Sequence, residues 1–221
     1  MLVSFLGSPC SGKTTTAAML EAKLKEDGLP AERLAEYARV HIARKRVKSL
    51  RENKEFSPLT DEDQWSIFKA QAEMEDLFEE SLSGVTNGMV ISDTSCLNAL
   101  LYMSRPRDDR GRPTGLPFLW DDVTVKNAVK AHLQKTQFLF FYSRPVDMPV
   151  YAGGDDPNRV HTHAQSKEVD EIVLDLIGHF NLDSHIPLVG TTGTRFSRAL
   201  SSVNSRLHAI AEAAEKKAAA A

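Results

Sequence analysis

Apolar residues fall along the chain in two rhythms. Short continuous runs bounded by glycine, proline or acidic residues predict strands buried on both faces: Leu2–Leu6, Met89–Asp93, Gln137–Tyr142 and Ile186–Val189. Ala31–Tyr37 reads as a further short strand, with a composition that also allows a helix. Between these runs, apolar residues recur at helical spacing. Ala17, Ala18, Leu20 and Leu24 mark a helix over Thr14–Glu26, stopped by Gly28-Leu29-Pro30. Trp65, Phe68, Ala72, Glu75, Phe78 and Glu79 form one mostly apolar face over Gln64–Leu82, preceded by the break and cap Ser57-Pro58-Leu59-Thr60-Asp61. Val169, Ile172, Val173, Leu176 and Ile177 do the same over Ser166–Phe180. Helices are also predicted over Cys96–Met103, Asp121–Lys135 and Phe196–Ala214. Val40–Lys54 is basic, while Arg105–Pro117 and Arg144–Asn158 are rich in turn residues and read as loops. Short apolar strands alternating with helices imply an α/β fold, a mostly parallel sheet with helices on both faces.

Composition narrows this picture. With 42% hydrophobic and 26% charged residues, the chain has enough apolar material for a core and is not a disordered polymer. A net charge of −3 and a pI of about 6.2 exclude nucleic-acid binding through bulk charge, so any such contact must be local. Two cysteines, Cys10 and Cys96, exclude a disulfide framework; both sit in segments read as parts of an active site, which points to a reducing, cytoplasmic compartment. No apolar run approaches the roughly 18–20 residues of a membrane span, and the N-terminal run breaks at Gly7, too early for a secretory signal. The expectation is a single domain over residues 1–214, with a lid or insertion around 105–117 and a lid-like loop around 144–165. The alanine-rich residues 215–221 are set aside as a tail.

Gly7-Ser8-Pro9-Cys10-Ser11-Gly12-Lys13-Thr14 matches G-x-x-x-x-G-K-[ST] between a predicted strand and a predicted helix, the context that gives the motif its meaning. Its glycines let backbone amides approach a phosphate at a helix N-terminus. Lys13 reaches the β- and γ-phosphates, Thr14 offers a hydroxyl to Mg²⁺, and Thr15 follows on the first turn. The fold class expected is therefore the three-layer P-loop NTPase fold, with ATP and Mg²⁺ as cofactors. Asp93 ends the apolar run at Met89 and is placed as the metal-side acid. Glu36, at the end of the second strand, is placed to accept a proton from an attacking hydroxyl, with Arg39 three residues on to hold substrate or phosphate. A surface Glu–Arg pair on a helix is the competing reading of Glu36 and Arg39.

Taken together, GSPCSGKT, LAEYAR, a helix containing Gln71, and VISDTS resemble the ribosylnicotinamide-kinase-type (NadR-like) P-loop proteins, which include stand-alone kinase domains, many encoded by bacteriophages. PVDMPVYAGGDDPNR is similar to the family's lid segment and LVGTTGTRFSRA to its late glycine/arginine turn. The resemblance implies that Glu36 and Arg39 are the family's E-Y-x-R pair, Asp93 its metal-side acid, Arg159 a lid arginine and Arg195 a residue near the adenine. The chain departs from the pattern at Ser95, where the family often has a second acid, and at the Arg105–Pro117 segment, which looks inserted. With no nucleotidyltransferase segment in the sequence, the bifunctional salvage enzyme is not the expected match.

Two locally basic segments bear on the acceptor. Arg39–Lys54 holds seven Lys/Arg, among them Arg44, Lys45 and Arg46, against one acid; Arg105–Arg112 holds Arg105, Arg107, Arg110 and Arg112 against Asp108 and Asp109. Bordering a site, they favour a polyanionic substrate such as DNA; the plainer reading is a solvated helix face and a lid that clamps ATP. The leading expectation is a kinase acting on the hydroxymethyl group of 5-hydroxymethyluracil in phage DNA, working in the host cytoplasm. The alternatives are a kinase of a free nucleoside such as nicotinamide riboside, and an NTPase conformational switch. His161 and His163 read as loop histidines, since two histidines at i,i+2 make a weak zinc site.

Overall fold

The computed structural model describes residues 1–9, 11–103, 120, 122–135, 138–144, 163–182 and 185–219. Five strands form one sheet: β1 (Leu2–Leu6), β2 (Ala31–Leu34), β3 (Met89–Ser92), β4 (Phe138–Ser143) and β5 (Ile186–Leu188). They lie in the order β2-β3-β1-β4-β5, and all four neighbouring pairs are parallel. β1 is thus central, with Leu2, Val3 and Ser4 opposite Val90, Ile91 and Ser92 on one side and Leu2–Leu6 opposite Phe138–Tyr142 on the other.

The strand pleat sends alternate residues to opposite faces, and both faces are covered. Val3, Phe5, Ile91, Leu139 and Phe141 pack with Ala17, Leu20 and Leu24 of α1 (Lys13–Glu26) and Ala199 and Val203 of α7 (Thr192–Ala219). Leu6, Phe140 and Tyr142 face the other way, into a cluster built on α3 (Asp61–Ser81), α4 (Leu100–Met103), α5 (Val123–Lys135) and α6 (His163–His179). This double cover is why the strands read as unbroken apolar runs rather than alternating ones. The expected three-layer architecture is what the chain forms.

Several boundaries differ from expectation for local reasons. The second strand stops at Leu34, and Tyr37 already begins a helix, α2 (Tyr37–Arg51), with Glu36 at its N-cap. α2 buries none of its residues. With no apolar stripe to advertise it, its arginines and lysines supply the helix propensity instead. α3 begins at Asp61, three residues earlier than expected, because Thr60 and Asp63 form a reciprocal capping box: the Thr60 hydroxyl accepts from the Asp63 amide and the Asp63 carboxylate from the Thr60 amide. The helix expected from Cys96 starts as a 3-10 turn over Cys96–Ala99 before α4. His163 opens α6 rather than lying in a loop, and α7 runs from Thr192 to Ala219, into the alanine-rich residues set aside as a tail. The 105–117 segment, residues 145–162 of the second lid, and with them Arg105, Arg107, Arg159 and His161, lie outside the described residues, as does Cys10. Among the described residues no helix is long and apolar enough to cross a membrane.

Candidate active site

The glycine-rich segment leaves the C-terminal end of β1 and enters α1. Gly7 has φ +146°, and a Cβ there would lie 2.3 Å from the Ser143 carbonyl oxygen, so no side chain fits between the loop and the end of β4. Gly12 adopts the left-handed conformation, φ 81°, as the N-cap of α1. Both positions of the motif's glycines are thus required by backbone geometry.

Three distant side chains fix the loop. Asn98 brackets the Gly7 peptide: its Oδ1 accepts from the Gly7 amide at 3.1 Å and its Nδ2 donates to the Gly7 carbonyl at 3.2 Å. The Ser143 hydroxyl donates to the Ser11 carbonyl at 2.7 Å. Arg195, only 3% exposed, donates through Nη1 to the Ser11 carbonyl and to Ser143 Oγ, through Nη2 to the Arg144 carbonyl at 2.8 Å, and through Nε to the Gly190 carbonyl at 2.9 Å. The residue placed near the adenine by resemblance therefore has its guanidinium beneath the loop, tying β4, the β5–α7 turn and the motif together.

Inside the loop, Lys13 is nearly buried and its Nζ donates to the carbonyls of Gly7 and Ser8 at 2.9 and 2.8 Å. The ammonium is held where an incoming anion would exchange with two neutral carbonyls. The hydroxyls of Ser8 and Ser11 are buried with no hydrogen-bond partner among the described residues.

Asp93 follows β3 and is 4% exposed. Its Oδ2 lies 3.5 Å from Arg33 Nη1 of β2, and its Oδ1 is buried without a hydrogen-bond partner among the described residues. Burial pushes its carboxyl above the ordinary range; the Thr14 hydroxyl, Lys13 and Arg33 oppose this, and the Glu36 carboxylate adds to it. Thr14, Lys13, Glu36 and Asp93 therefore share one electrostatic neighbourhood. An orphaned, buried carboxylate oxygen near the Thr14 hydroxyl suits a hard divalent cation, which prefers oxygen donors. Thr14 and Asp93 are the residues that could hold Mg²⁺.

Glu36 sits at the N-cap of α2 and is paired with Arg39, Nε to Oε2 3.3 Å. It lines a cavity with Ala38 of α2, with Gln64, Ile67 and Gln71 of α3, and with Thr94–Cys96, Asn98, Ala99 and Tyr102 beyond β3. This cavity adjoins the motif through Asn98, whose amide holds Gly7.

The wall behind Asp93 is polar and closed. Glu75 of α3, fully buried, accepts through Oε1 from the Ser92 hydroxyl at 2.6 Å and the Cys96 amide at 3.1 Å, while His132 Nε2 of α5 is 3.0 Å from its Oε2. His132 Nδ1 lies 3.2 Å from Asp76 Oδ1. Gln71 joins the same network, donating to Ser92 Oγ at 3.3 Å and accepting from the Tyr37 amide at 2.7 Å. Burial and the adjacent Glu75 push the Cys96 thiol well up, so it stays protonated. Donor atoms of Glu75, Cys96 and His132 lie within 4.8 Å of one another. Both Glu75 oxygens are already engaged, and the group reads as a hydrogen-bonded brace for the Asp93 loop.

The basic segment is only partly turned to solvent as a block. Lys45 is committed to Asp63 and the Pro58 carbonyl, and its ammonium holds the Asp63 carboxyl far below the usual range, together with the Thr60 amide and His41. Arg44 donates to the Tyr37 hydroxyl at 3.0 Å, and Arg46 lies over the Phe56 ring, 5.2 Å from its centroid. A shallow groove along α2 is instead lined by Arg39, Arg44, Lys48 and Arg51 around Val40 and Val47.

Sequence reasoning missed Asn98, Gln64, Glu75, His132 and Arg33. One signal was readable: Gln64, Gln71 and Glu75, spaced i, i+7, i+11, lie on one helical face, and it is this face, with Ile67 and Phe68, that α3 buries.

The family described as an AAA domain matches residues 2–195. Among solved structures, the chain is similar to a NadR protein in complex with NR, at 19% identity, TM-score 0.59, over 92% of this chain and 50% of that one. It thus spans half the length of that protein. It is also similar to thymidylate kinase from Candida albicans (14% identity, TM-score 0.59, 93% and 91% covered) and to deoxyadenosine kinase from M. mycoides with bound dCTP (16% identity, TM-score 0.50, 93% and 100% covered). At these identities the likeness is one of fold. No curated protein matches the sequence.

Proposed function

From membership of the AAA domain family, to which this chain belongs, we propose that it is an ATP-dependent kinase that phosphorylates a hydroxyl of a nucleoside-type substrate. The observation that carries this reading is Glu36: a carboxylate lining a small, partly open cavity and sharing a neighbourhood with Lys13 and Asp93. That the structurally similar proteins are named as thymidylate and deoxyadenosine kinases supports the nucleoside class.

In this reading the motif amides of residues 7–14 cradle the triphosphate, and Lys13 moves from the Gly7 and Ser8 carbonyls to the transferring group. Thr14 and Asp93 would hold Mg²⁺, which when bound would neutralise phosphate charge. The acceptor oxygen, its proton passing to Glu36, bonds to the γ-phosphorus; the bond from that phosphorus to the β,γ-bridging oxygen breaks, and ADP leaves. Arg39 holds Glu36 in place and offers a charge to the phosphoryl group. Arg195 shapes the loop from below.

The leading acceptor is the hydroxymethyl group of 5-hydroxymethyluracil in DNA. Support comes from α2, an unburied basic helix that starts at Glu36, so a strand lying along Arg39, Arg44, Lys48 and Arg51 would lead into the cavity. The second reading, a free nucleoside, draws on the likeness to the NadR protein in complex with NR. Incubation with labelled ATP and hydroxymethyluracil DNA is expected to label the DNA. Label confined to free ribosides would remove DNA as the acceptor, and hydrolysis with no labelled acceptor would remove the kinase reading.

Two variants sharpen this. Glu36→Gln is expected to lower kcat about 100-fold while ATP binding by calorimetry stays unchanged; equal loss of both would take Glu36 out of the proton-accepting role. Arg44→Glu combined with Lys48→Glu is expected to weaken DNA binding, and to reduce the slope of log affinity against log salt by about 2. A nucleoside acceptor would be little affected.

A further inference from the structure

Behind the Asp93 loop three side chains of metal-ligating kinds converge: Glu75 of α3, Cys96 at the start of the 3-10 turn and His132 of α5, at 0%, 1% and 4% exposure. Among the described residues they are the one such group whose donor atoms all lie within 4.8 Å of one another. Their hydrogen bonds divide the Glu75 carboxylate into two halves. Oε1 is anchored by the Ser92 hydroxyl and the Cys96 amide, whereas Oε2 faces His132 Nε2 at 3.0 Å, and the Cys96 thiol also bonds to this carboxylate. Oε1 thus orients the group and Oε2 is turned to the cluster. The far nitrogen of the imidazole is held as well, with Nδ1 3.2 Å from Asp76 Oδ1. A carboxylate behind the second ring nitrogen fixes the tautomer that leaves a lone pair on Nε2. Ser4, opposite Ser92 in the parallel register and so on the same sheet face, has a buried hydroxyl with no hydrogen bond among the described residues. The polar nest therefore has bonding capacity to spare.

A thiolate, an imidazole and a carboxylate oxygen are the donor types that zinc takes. We propose that Glu75 Oε2, Cys96 Sγ and His132 Nε2 bind one zinc ion, with a water in the fourth position and Asp76 as the outer carboxylate on His132. The spacing supports this. Bonds of about 2.0 Å to nitrogen and oxygen and about 2.3 Å to sulfur put tetrahedral donors roughly 3.3–3.5 Å apart. The nitrogen and the oxygen already stand at 3.0 Å, and the sulfur lies within 4.8 Å of both. Charge supports it too. Carboxylate and thiolate neutralise the dication inside the protein; the thiol proton leaves to solvent, and the imidazole proton stays on Nδ1 against Asp76. Burial and Glu75 alone keep the thiol protonated, and a dication reverses that balance. Cys96 also lines the small cavity beside Glu36, which has room for about one water, so an ion can reach the sulfur from that side. Zinc at this point ties to α3 and α5 the turn whose Asn98 brackets Gly7, and so braces the phosphate loop without touching it. The site is separate from the one formed by Thr14 and Asp93 and does not depend on the kinase reading.

Metal binding by the full chain, without ATP or acceptor, tests the inference. Protein stripped with a chelator is titrated with Zn²⁺ and, as a spectroscopic probe, with Co²⁺. The wild type is expected to take up one zinc per chain with a rise in thermal midpoint. Its cobalt form is expected to show a thiolate-to-metal charge-transfer band and the intense visible bands of a tetrahedral site. Cys96→Ser, matched to the wild type in circular dichroism, is expected to lose the charge-transfer band, and Cys10→Ser, which changes the other cysteine of the sequence, to keep it. Asp76→Asn, whose side chain is about one-third exposed and which leaves all three ligands in place, is expected to weaken zinc binding about 10–100-fold. Wild-type protein that shows neither stoichiometric zinc nor the charge-transfer band overturns the proposal without any variant. So does a band that survives in Cys96→Ser, or zinc affinity that Asp76→Asn leaves unchanged; either result means an adventitious ion only. Because no nucleotide is present, failure here leaves the kinase reading untouched, and failure of phosphoryl transfer leaves this site untouched.

Discussion

Replacing Lys13 with alanine is expected to lower phosphoryl transfer about a thousandfold and to leave the sheet standing. The side chain projects from the first residue of α1 into the loop, and its ammonium is already ordered on two carbonyls. Little reorganisation is needed when a phosphate takes their place, and a preorganised charge aimed at developing charge is the kind of group whose loss costs about 10²–10³ in rate. The loop itself should survive, because the Gly7 carbonyl keeps Asn98 as a donor and the Ser11 carbonyl keeps Ser143. Single-turnover transfer and the thermal midpoint measure the two halves of this expectation. Transfer at the wild-type rate would mean that the γ-phosphate binds elsewhere.

Glu75→Ala should instead act on stability, by about 3–5 kcal/mol, the cost of leaving buried partners of a charge uncompensated. The truncation takes acceptors from the Ser92 hydroxyl and the Cys96 amide and removes the carboxylate facing a histidine that is itself 4% exposed. Glu75→Gln keeps an acceptor for Ser92 and Cys96 and loses only the charge opposite His132, so a smaller loss is expected. Urea unfolding of both variants checks the ordering. A neutral outcome for Glu75→Ala would show that the brace behind Asp93 carries no energy.

How much of this was legible before the fold depends on how far each feature reaches along the chain. The phosphate loop is contiguous, so residues 7–14 announce themselves, and strands covered on both faces show as unbroken apolar runs. α2 was opaque for the opposite reason: a helix that buries nothing leaves no periodic trace, and its basic residues read only as charge. The supports of the loop were invisible because they come from afar. Asn98 meets Gly7 across 91 positions and His132 meets Glu75 across 57, and an isolated Asn or His in a helical stretch carries no sign of its partner. Gln64 and Gln71 could have been noticed as polar residues in register with an apolar stripe, although the partners of Gln71 depend on what α2 and β3 bring to the helix. Glu36 and Asp93 lie between these cases, each readable as a carboxylate at a strand end, with their shared neighbourhood set by the order β2-β3-β1.

The contact between Arg195 and the Ser11 carbonyl spans 184 positions. A ribosome adds roughly 5–20 residues per second, so the glycine-rich turn emerges roughly 10–40 s before the guanidinium that seats it. The stretch that reads most clearly as a triphosphate holder is thus made first, and the last of its three side-chain supports, after Asn98 and Ser143, is made near the end. A nascent fragment lacking the final helix carries the signature without its Arg195 support.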